Sequence, residues 1–155
     1  MATAARRFTD AAAAHGLHLE VREFPQGTRT AADAAAAIGC EVAQIVKSLV
    51  FMADDEPVLV LTSGANRVDE RRVRTALGAA TCRKANADEV RATTGYAIGG
   101  TPPFGHVRPL RVLCDRDLTG HDRIWAAAGT PSTVFPLTPR TLLEVTGADV
   151  VEVAV

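Results

Sequence analysis

Ile45-Val46-Lys47-Ser48-Leu49-Val50-Phe51-Met52 is an apolar run carrying one charge, and Val58-Leu59-Val60-Leu61-Thr62 follows it after the turn Asp54-Asp55-Glu56-Pro57. Two short apolar runs separated by turn residues predict a β-hairpin over residues 45–62. Strand side chains alternate between faces, so Ile45, Lys47, Leu49 and Phe51 share one face and Val46, Ser48, Val50 and Met52 the other. If both faces are covered, Lys47 lies near apolar walls, where an unpaired ammonium is costly. An anionic ligand would offset that cost. An edge-strand lysine that discourages aggregation, or one whose stem lets the ammonium reach water, accounts for the residue without a ligand.

Outward from the hairpin, residues 2–15 are alanine-rich and suit a helix. Residues 17–24 alternate Leu17, Leu19 and Val21 against His18, Glu20 and Arg22, which predicts a half-buried strand. Thr30-Ala31-Ala32-Asp33 resembles a capping box and opens a helix that stops at Gly39. Downstream, Ser63-Gly64-Ala65-Asn66 breaks the chain, a helix over 69–77 ends at Gly78, and Asn86-Ala87-Asp88-Glu89 caps another that runs to about Thr94. Strands are expected over 110–114, 123–128, 133–137 and 149–153. Thr138-Pro139 pairs an N-cap with proline at the first helical position and opens a helix ended by Gly147. Hairpins and helices interleave without strict β-α-β alternation. The fold class is therefore α+β, a single domain over 1–155 built as a twisted mixed β-sheet surrounded by helices.

The chain has 155 residues, 47% of them hydrophobic, which is enough for a core without disulfides. A net charge of −1 argues against a strongly basic nucleic-acid surface but not against a local basic patch. No apolar run approaches the length of a membrane span. The start, Met1-Ala2-Thr3-Ala4-Ala5-Arg6-Arg7, has no apolar segment after its arginines, so the expected location is cytoplasmic, with no membrane partner. Cys40, Cys82 and Cys114 are far apart and form no C-x-x-C pair, so neither a disulfide framework nor a zinc site is indicated. Three thiols of this kind usually act as small hydrophobes, with a nucleophile as the alternative. Of seventeen basic residues only Lys47 and Lys84 are lysine. Arginine is this chain's default cation, so a lysine in an apolar strand is less arbitrary.

Gly95-Tyr96-Ala97-Ile98-Gly99-Gly100-Thr101-Pro102-Pro103-Phe104-Gly105-His106 is the second unusual stretch. Its glycines open backbone angles closed to other residues, and its prolines fix φ and remove donors. Such a loop is rigid and has exposed peptide groups, which can hold a carbonyl, an amine or a phosphate. It is not a P-loop, because no Gly-Lys-Ser/Thr follows. A plain helix-to-strand turn is the alternative, although the stretch is long for that role. His106 could move a proton or make a structural hydrogen bond at the loop end. His15, His18 and His121 have no partner at ligand spacing. Arg71, Arg72 and Arg74 suit either a solvated helix face or nucleic-acid phosphates.

The Thr-x-x-Ala-Ala helix start, the Ile-Val-Lys-Ser-Leu-Val-Phe strand and the Gly-Tyr-x-x-Gly-Gly-x-x-Pro-Phe-Gly loop, in that order, resemble the YbaK/EbsC-type aminoacyl-tRNA deacylases. These are free-standing relatives of the prolyl-tRNA synthetase editing domain. The resemblance covers residues 28–153. It implies hydrolysis of the ester joining a wrong amino acid to a tRNA 3′ end, with tRNA(Pro) carrying a cysteinyl, alanyl, seryl or threonyl group as the candidate substrate. It implies mischarged tRNA as the partner, with prolyl-tRNA synthetase as a second candidate partner, and neither cofactor nor metal. It places Lys47 at the terminal nucleotide or its phosphate, and Gly99, Gly100, Thr101, Pro102 and Pro103 in the loop whose backbone positions the aminoacyl group and the water. Phe24, Ser48, His106 and Gly129 complete the expected site, Phe24 serving equally well as core. An aminoacyl ester is already activated, so orientation and electrostatic stabilisation can supply much of the acceleration. Around Gly129 the segment reads Ala126-Ala127-Ala128-Gly129-Thr130-Pro131-Ser132, without the Ser or His that some relatives carry next to the glycine. That leaves the amino acid open and keeps two other readings in play: a binding module for aminoacyl-tRNA 3′ ends or aminoacyl-adenylate-like ligands without turnover, and an interaction domain that docks on a synthetase or ribosome.

Overall fold

The hairpin forms where alternation predicts it. In the computed structural model, which describes residues 3–28 and 30–155, β2 (Val46–Ala53) and β3 (Glu56–Ser63) pair antiparallel from Val46↔Ser63 to Ala53↔Glu56. The connection is the two residues Asp54 and Asp55, both at positive φ, the twist that a two-residue hairpin loop needs. Asp tolerates that conformation better than most residues. The Asp54 carboxylate also accepts from the N–H groups of Ala80 and Thr81.

Around the hairpin, in chain order, lie α1 (Ala4–Ala14), β1 (Arg22–Glu23), α2 (Ala31–Ile38), α3 (Glu70–Leu77), β4 (Cys82–Lys84), α4 (Ala87–Thr94), β5 (Arg111–Asp115), β6 (Ile124–Ala127), β7 (Thr133–Leu137), α5 (Pro139–Thr146) and β8 (Asp149–Val151), with short 3₁₀ turns at Val42–Gln44 and Arg116–Gly120. The main sheet has the order β4-β2-β3-β5-β8. It is mixed: β2 is antiparallel to both neighbours, whereas β3–β5 and β5–β8 are parallel. Val46, Val50, Leu59 and Leu61 bury one face against Phe8, Tyr96, Phe104 and Phe135, and Phe51, Val58 and Val60 bury the other against Val73 and Val153.

The caps follow the local sequence. Thr30, Asp69, Asn86 and Thr138 each accept a hydrogen bond from a first-turn N–H, and Gly39, Gly78, Gly95 and Gly147 end those four helices in the left-handed conformation. The helix expected over 2–15 runs from Ala4 to Ala14; Met1 and Ala2 lie outside the described residues.

Three features differ from the expectation. The strand read over 17–24 reduces to Arg22–Glu23, which pairs with Val134 and Thr133. Leu17 and Leu19 do pack on the core, while Val21 is exposed; alternation recorded burial at the two leucines, and among the described residues no neighbouring strand lies alongside them to make a ladder. The short polar strand β4 carries no apolar pattern and forms because the end of β2 offers it an edge. Beside the mixed sheet stands a second antiparallel sheet, β1-β7-β6. It meets the first through one bridge, Ile45↔Trp125.

Leu59 is fully buried at the centre of the larger core. Leu59→Ala should cost about 2–5 kcal/mol, read as a lower urea midpoint with an unchanged slope.

Candidate functional site

β4 pairs with β2 only along Phe51–Ala53, so among the described residues the earlier part of β2 has no strand on that side beyond the Ile45↔Trp125 bridge. The ladder tells which atoms are left there. Ile45 O accepts from Gly64 N on the β3 side, and Val50 O accepts from Ala85 N on the β4 side. Antiparallel ladders alternate in this way, so the N–H and C=O of Ser48 face away from β3, toward the open edge. The Ser48 hydroxyl is buried with no partner among the described residues. A buried polar atom without a partner costs free energy, and a bound polar group would remove that cost.

This edge forms one wall of a cavity of about 490 Å3. Thr28, Thr30 and Ala31 at the start of α2 form a second wall, Trp125 to Ala127 of β6 a third, and Ile98, Gly99 and Thr101 of the glycine loop a fourth. Among the described residues the only ionisable side chain in the lining is Lys47.

The loop is held from within. Gly100 N and the Thr101 hydroxyl both donate to Ala97 O, at 3.0 Å each. The Tyr96 hydroxyl donates to Gly105 O at 3.3 Å. His106 Nε2 lies 2.8 Å from Pro102 O; a carbonyl can only accept, so this nitrogen carries the proton. Pro102, Pro103 and Phe104 are buried. Gly100 packs against Thr130 and Pro131 so closely that a Cβ there would lie 2.8 Å from the Thr130 backbone. The N–H groups of Gly99 and Thr101, both in the cavity wall, meet no acceptor among the described residues.

Of the residues singled out from the sequence, the fold thus gathers Lys47, Ser48, Gly99 and Thr101 around the cavity. Gly100, Pro102, Pro103 and His106 stand behind it as the frame of the loop. Phe24 packs in the small cluster with Ala34, Ile45, Trp125 and Val134, backing the wall. Gly129, at φ 106°, lies against α1, where a Cβ would meet Ala4 O at 2.8 Å. Sequence reasoning missed Thr28, Ile98 and Trp125 as wall residues. The one signal available was that Trp125 is the sole tryptophan, set just before a run of three alanines.

Lys47 sits at a divide. It lines the first cavity and also a second one of about 700 Å3, shared with Asn66, Arg67, Arg71 and Lys84 and with the acids Asp69 and Glu70. Its ammonium donates to Asn66 O at 2.7 Å. Burial lowers its pKa below the ordinary 10.5; Lys84 lowers it further, Asp115 opposes, and Arg67 adds to the lowering. Among the described residues none of Lys47, Arg67, Arg71 and Lys84 is paired with a carboxylate, whereas Arg72 pairs with Asp69 and Glu152. The second cavity therefore concentrates positive charge that the net charge of the chain conceals.

Neither cavity has a cysteine in its lining among the described residues. Burial pushes Cys114 up to about 12 and raises Cys40 and Cys82 as well, which keeps all three in the unreactive form. Among the described residues no cluster of His, Cys, Asp or Glu is arranged to hold a metal ion, and no helix is long and apolar enough to cross a membrane.

Comparison with known proteins puts this geometry in a family context. Residues 25–145 match the family model described as aminoacyl-tRNA editing domain. The uncharacterized protein YwhH of Bacillus subtilis (strain 168) is 32% identical over 81% of this chain and 80% of its own length. Proline–tRNA ligase of Ligilactobacillus salivarius (strain UCC118) is 36% identical over 59% of this chain, a match that spans only 16% of the ligase. A crystal structure described as a candidate trans-editing enzyme for prolyl tRNA synthetase superposes with a TM-score of 0.94 at 46% identity, over 100% of this chain and 99% of that one.

The loop frame gives a pH prediction. Burial depresses the His106 pKa below its ordinary 6.5, outweighing the Pro102 carbonyl, which raises it. The unfolded chain then binds the proton more readily than the folded one. The stability from neutral His106 is therefore complete above pH 6.5 and lost as pH falls from there through the lower folded value. Thermal melts should show this decline, and His106→Gln, which can still donate to Pro102 O, should remove that part of it. An equal decline in the variant refutes the assignment.

Proposed function

The chain belongs to the aminoacyl-tRNA editing domain family, and on that premise we propose that it hydrolyses the ester joining a wrong small amino acid to the 3′-terminal ribose of a tRNA. The observation that carries the proposal is the pair of cavities divided by Lys47. The first, walled by main-chain groups and mostly apolar side chains, suits an aminoacyl group. The second, with its unpaired cations, suits the phosphate of the nucleotide that bears it. Relatives named proline–tRNA ligase make tRNA(Pro) the first carrier to test and prolyl-tRNA synthetase the first candidate partner.

The chemistry needs little from side chains. A water oxygen adds to the ester carbonyl carbon, and the carbonyl electron pair moves onto oxygen. The intermediate collapses with loss of the ribose oxygen, which takes up a proton, leaving a free amino acid and an uncharged tRNA end. The N–H groups of Gly99 and Thr101 are candidate donors to the developing oxyanion. The Ser48 hydroxyl and the open edge of β2 are candidate holds for the amino group or the water. Lys47 anchors the nucleotide so that the ester meets these groups in one orientation.

A non-catalytic module for the same 3′ end is the second reading. It draws on the first cavity's lining, where among the described residues no His, Asp, Glu or Cys stands ready to move a proton.

Pure protein incubated with Cys-, Ala-, Ser- and Thr-tRNA(Pro) decides between them through release of the amino acid. Release from at least one is expected, and Lys47→Ala should reduce it by about 100-fold or more with its circular dichroism and melting curve retained. Tight binding without release from any member favours the module. Full activity in a folded Lys47→Ala protein sinks the role given to Lys47.

A further inference from the structure

Asp115, at the end of β5, is 1% exposed and has no cationic partner among the described residues. A buried carboxylate is expensive unless its oxygens are saturated by donors. Here Oδ2 accepts from the Thr62 hydroxyl at 2.9 Å, Ser63 N at 3.0 Å and Asn66 Nδ2 at 2.9 Å, while Oδ1 accepts from Asp117 N at 3.0 Å. The other proton of the Asn66 amide goes to Asp117 Oδ2 at 2.7 Å. Carboxylates accept only, so both amide protons of Asn66 are committed and the side chain has one orientation. Its main chain is held as well, since Asn66 N donates to Ser63 O at 2.9 Å and the Ser63 hydroxyl donates to Ala43 O at 2.7 Å. The carbonyl oxygen of this clamped residue receives the Lys47 ammonium at 2.7 Å.

We propose that Asp115 is a positioning residue for Lys47, acting through Asn66. The carboxylate touches neither cavity. It fixes Asn66 by its amide, and Asn66 in turn fixes the ammonium at the divide between the two cavities. A free lysine side chain samples many rotamers, and losing that freedom on binding opposes the binding. A lysine already tied down loses less when a ligand arrives and presents its charge in one place. The charge of Asp115 acts in the same sense, opposing the repulsion of Lys47 by Lys84 and Arg67. Capping the Arg116–Gly120 turn through Asp117 N needs only one oxygen; the commitment of the other to Asn66 is what the positioning role explains.

The role of Lys47 toward a tRNA end rests on the function proposed above, so the experiment has an arm that needs no tRNA. The chain has two lysines, and Lys84→Arg leaves Lys47 as the sole source of signal from 13C-labelled lysine. A tethered ammonium should give two distinct ε-methylene proton resonances. Asn66→Ala, which leaves Asp115 bound to Thr62, Ser63 and Asp117, should merge them, and a folded Asp115→Asn protein should do the same. Distinct resonances in folded Asn66→Ala overturn the proposal whatever the tRNA assays show. Merging in Asn66→Ala but not in folded Asp115→Asn overturns the role of Asp115. In the second arm, Asn66→Ala should lower kcat for deacylation by about 10- to 100-fold, and combining it with Lys47→Ala should cost nothing beyond Lys47→Ala. Additive losses mean that Asn66 acts independently of Lys47 and refute the link. If the wild-type protein releases no amino acid, the deacylase reading fails while the resonance test still decides the positioning.

Discussion

The open edge of β2 is the constraint on which the site depends. A strand edge presents unpaired N–H and C=O groups, and inside a protein these must find partners or be covered. β4 covers β2 only along Phe51–Ala53, and β6 makes its backbone bridge at Ile45, just before β2. The stretch between is left facing α2, the glycine loop and Trp125 across a cavity. The glycine loop then makes sense as a wall. It approaches the Thr130-Pro131 backbone too closely for any side chain at Gly100, and its internal hydrogen bonds keep it from collapsing into the gap.

Charge is organised around that edge by burial more than by number. The chain is nearly neutral in sum, yet Arg67, Arg71 and Lys84 gather beside Lys47 in one cavity. The carboxylate nearest in effect, Asp115, sits buried at the end of β5 and is saturated by donors of its own. Lys47 is therefore held by a neutral carbonyl and leaves its charge for whatever enters. A direct carboxylate partner would have satisfied the ammonium and quenched the field.

Much of the fold was legible because its signals are local. Thr30, Asp69, Asn86 and Thr138 cap helices through bonds that span two or three residues, and the glycines after those helices take a conformation that few other residues tolerate. The hairpin was legible from alternation. Residues 17–24 misled because alternation reports which side chains are buried, and a strand needs a neighbour besides. β4 was illegible for the converse reason: Cys82-Arg83-Lys84 has no pattern of its own, and its strand conformation comes from pairing with β2.

For the site, the sequence by itself determined that Lys47 stands as a charge among apolar residues, that residues 95–106 form a glycine- and proline-built loop, and which family's motifs the chain carries. Those properties reside in contiguous residues. Only the tertiary structure decided that Lys47 divides two cavities, that Trp125, Thr28 and Ile98 wall the first, that Gly100 and His106 frame the loop from behind, and that Asp115 reaches Lys47 through Asn66. Most of these join segments tens of residues apart, and no local propensity encodes such a meeting. It follows from sheet order and from the need of buried polar groups to find partners.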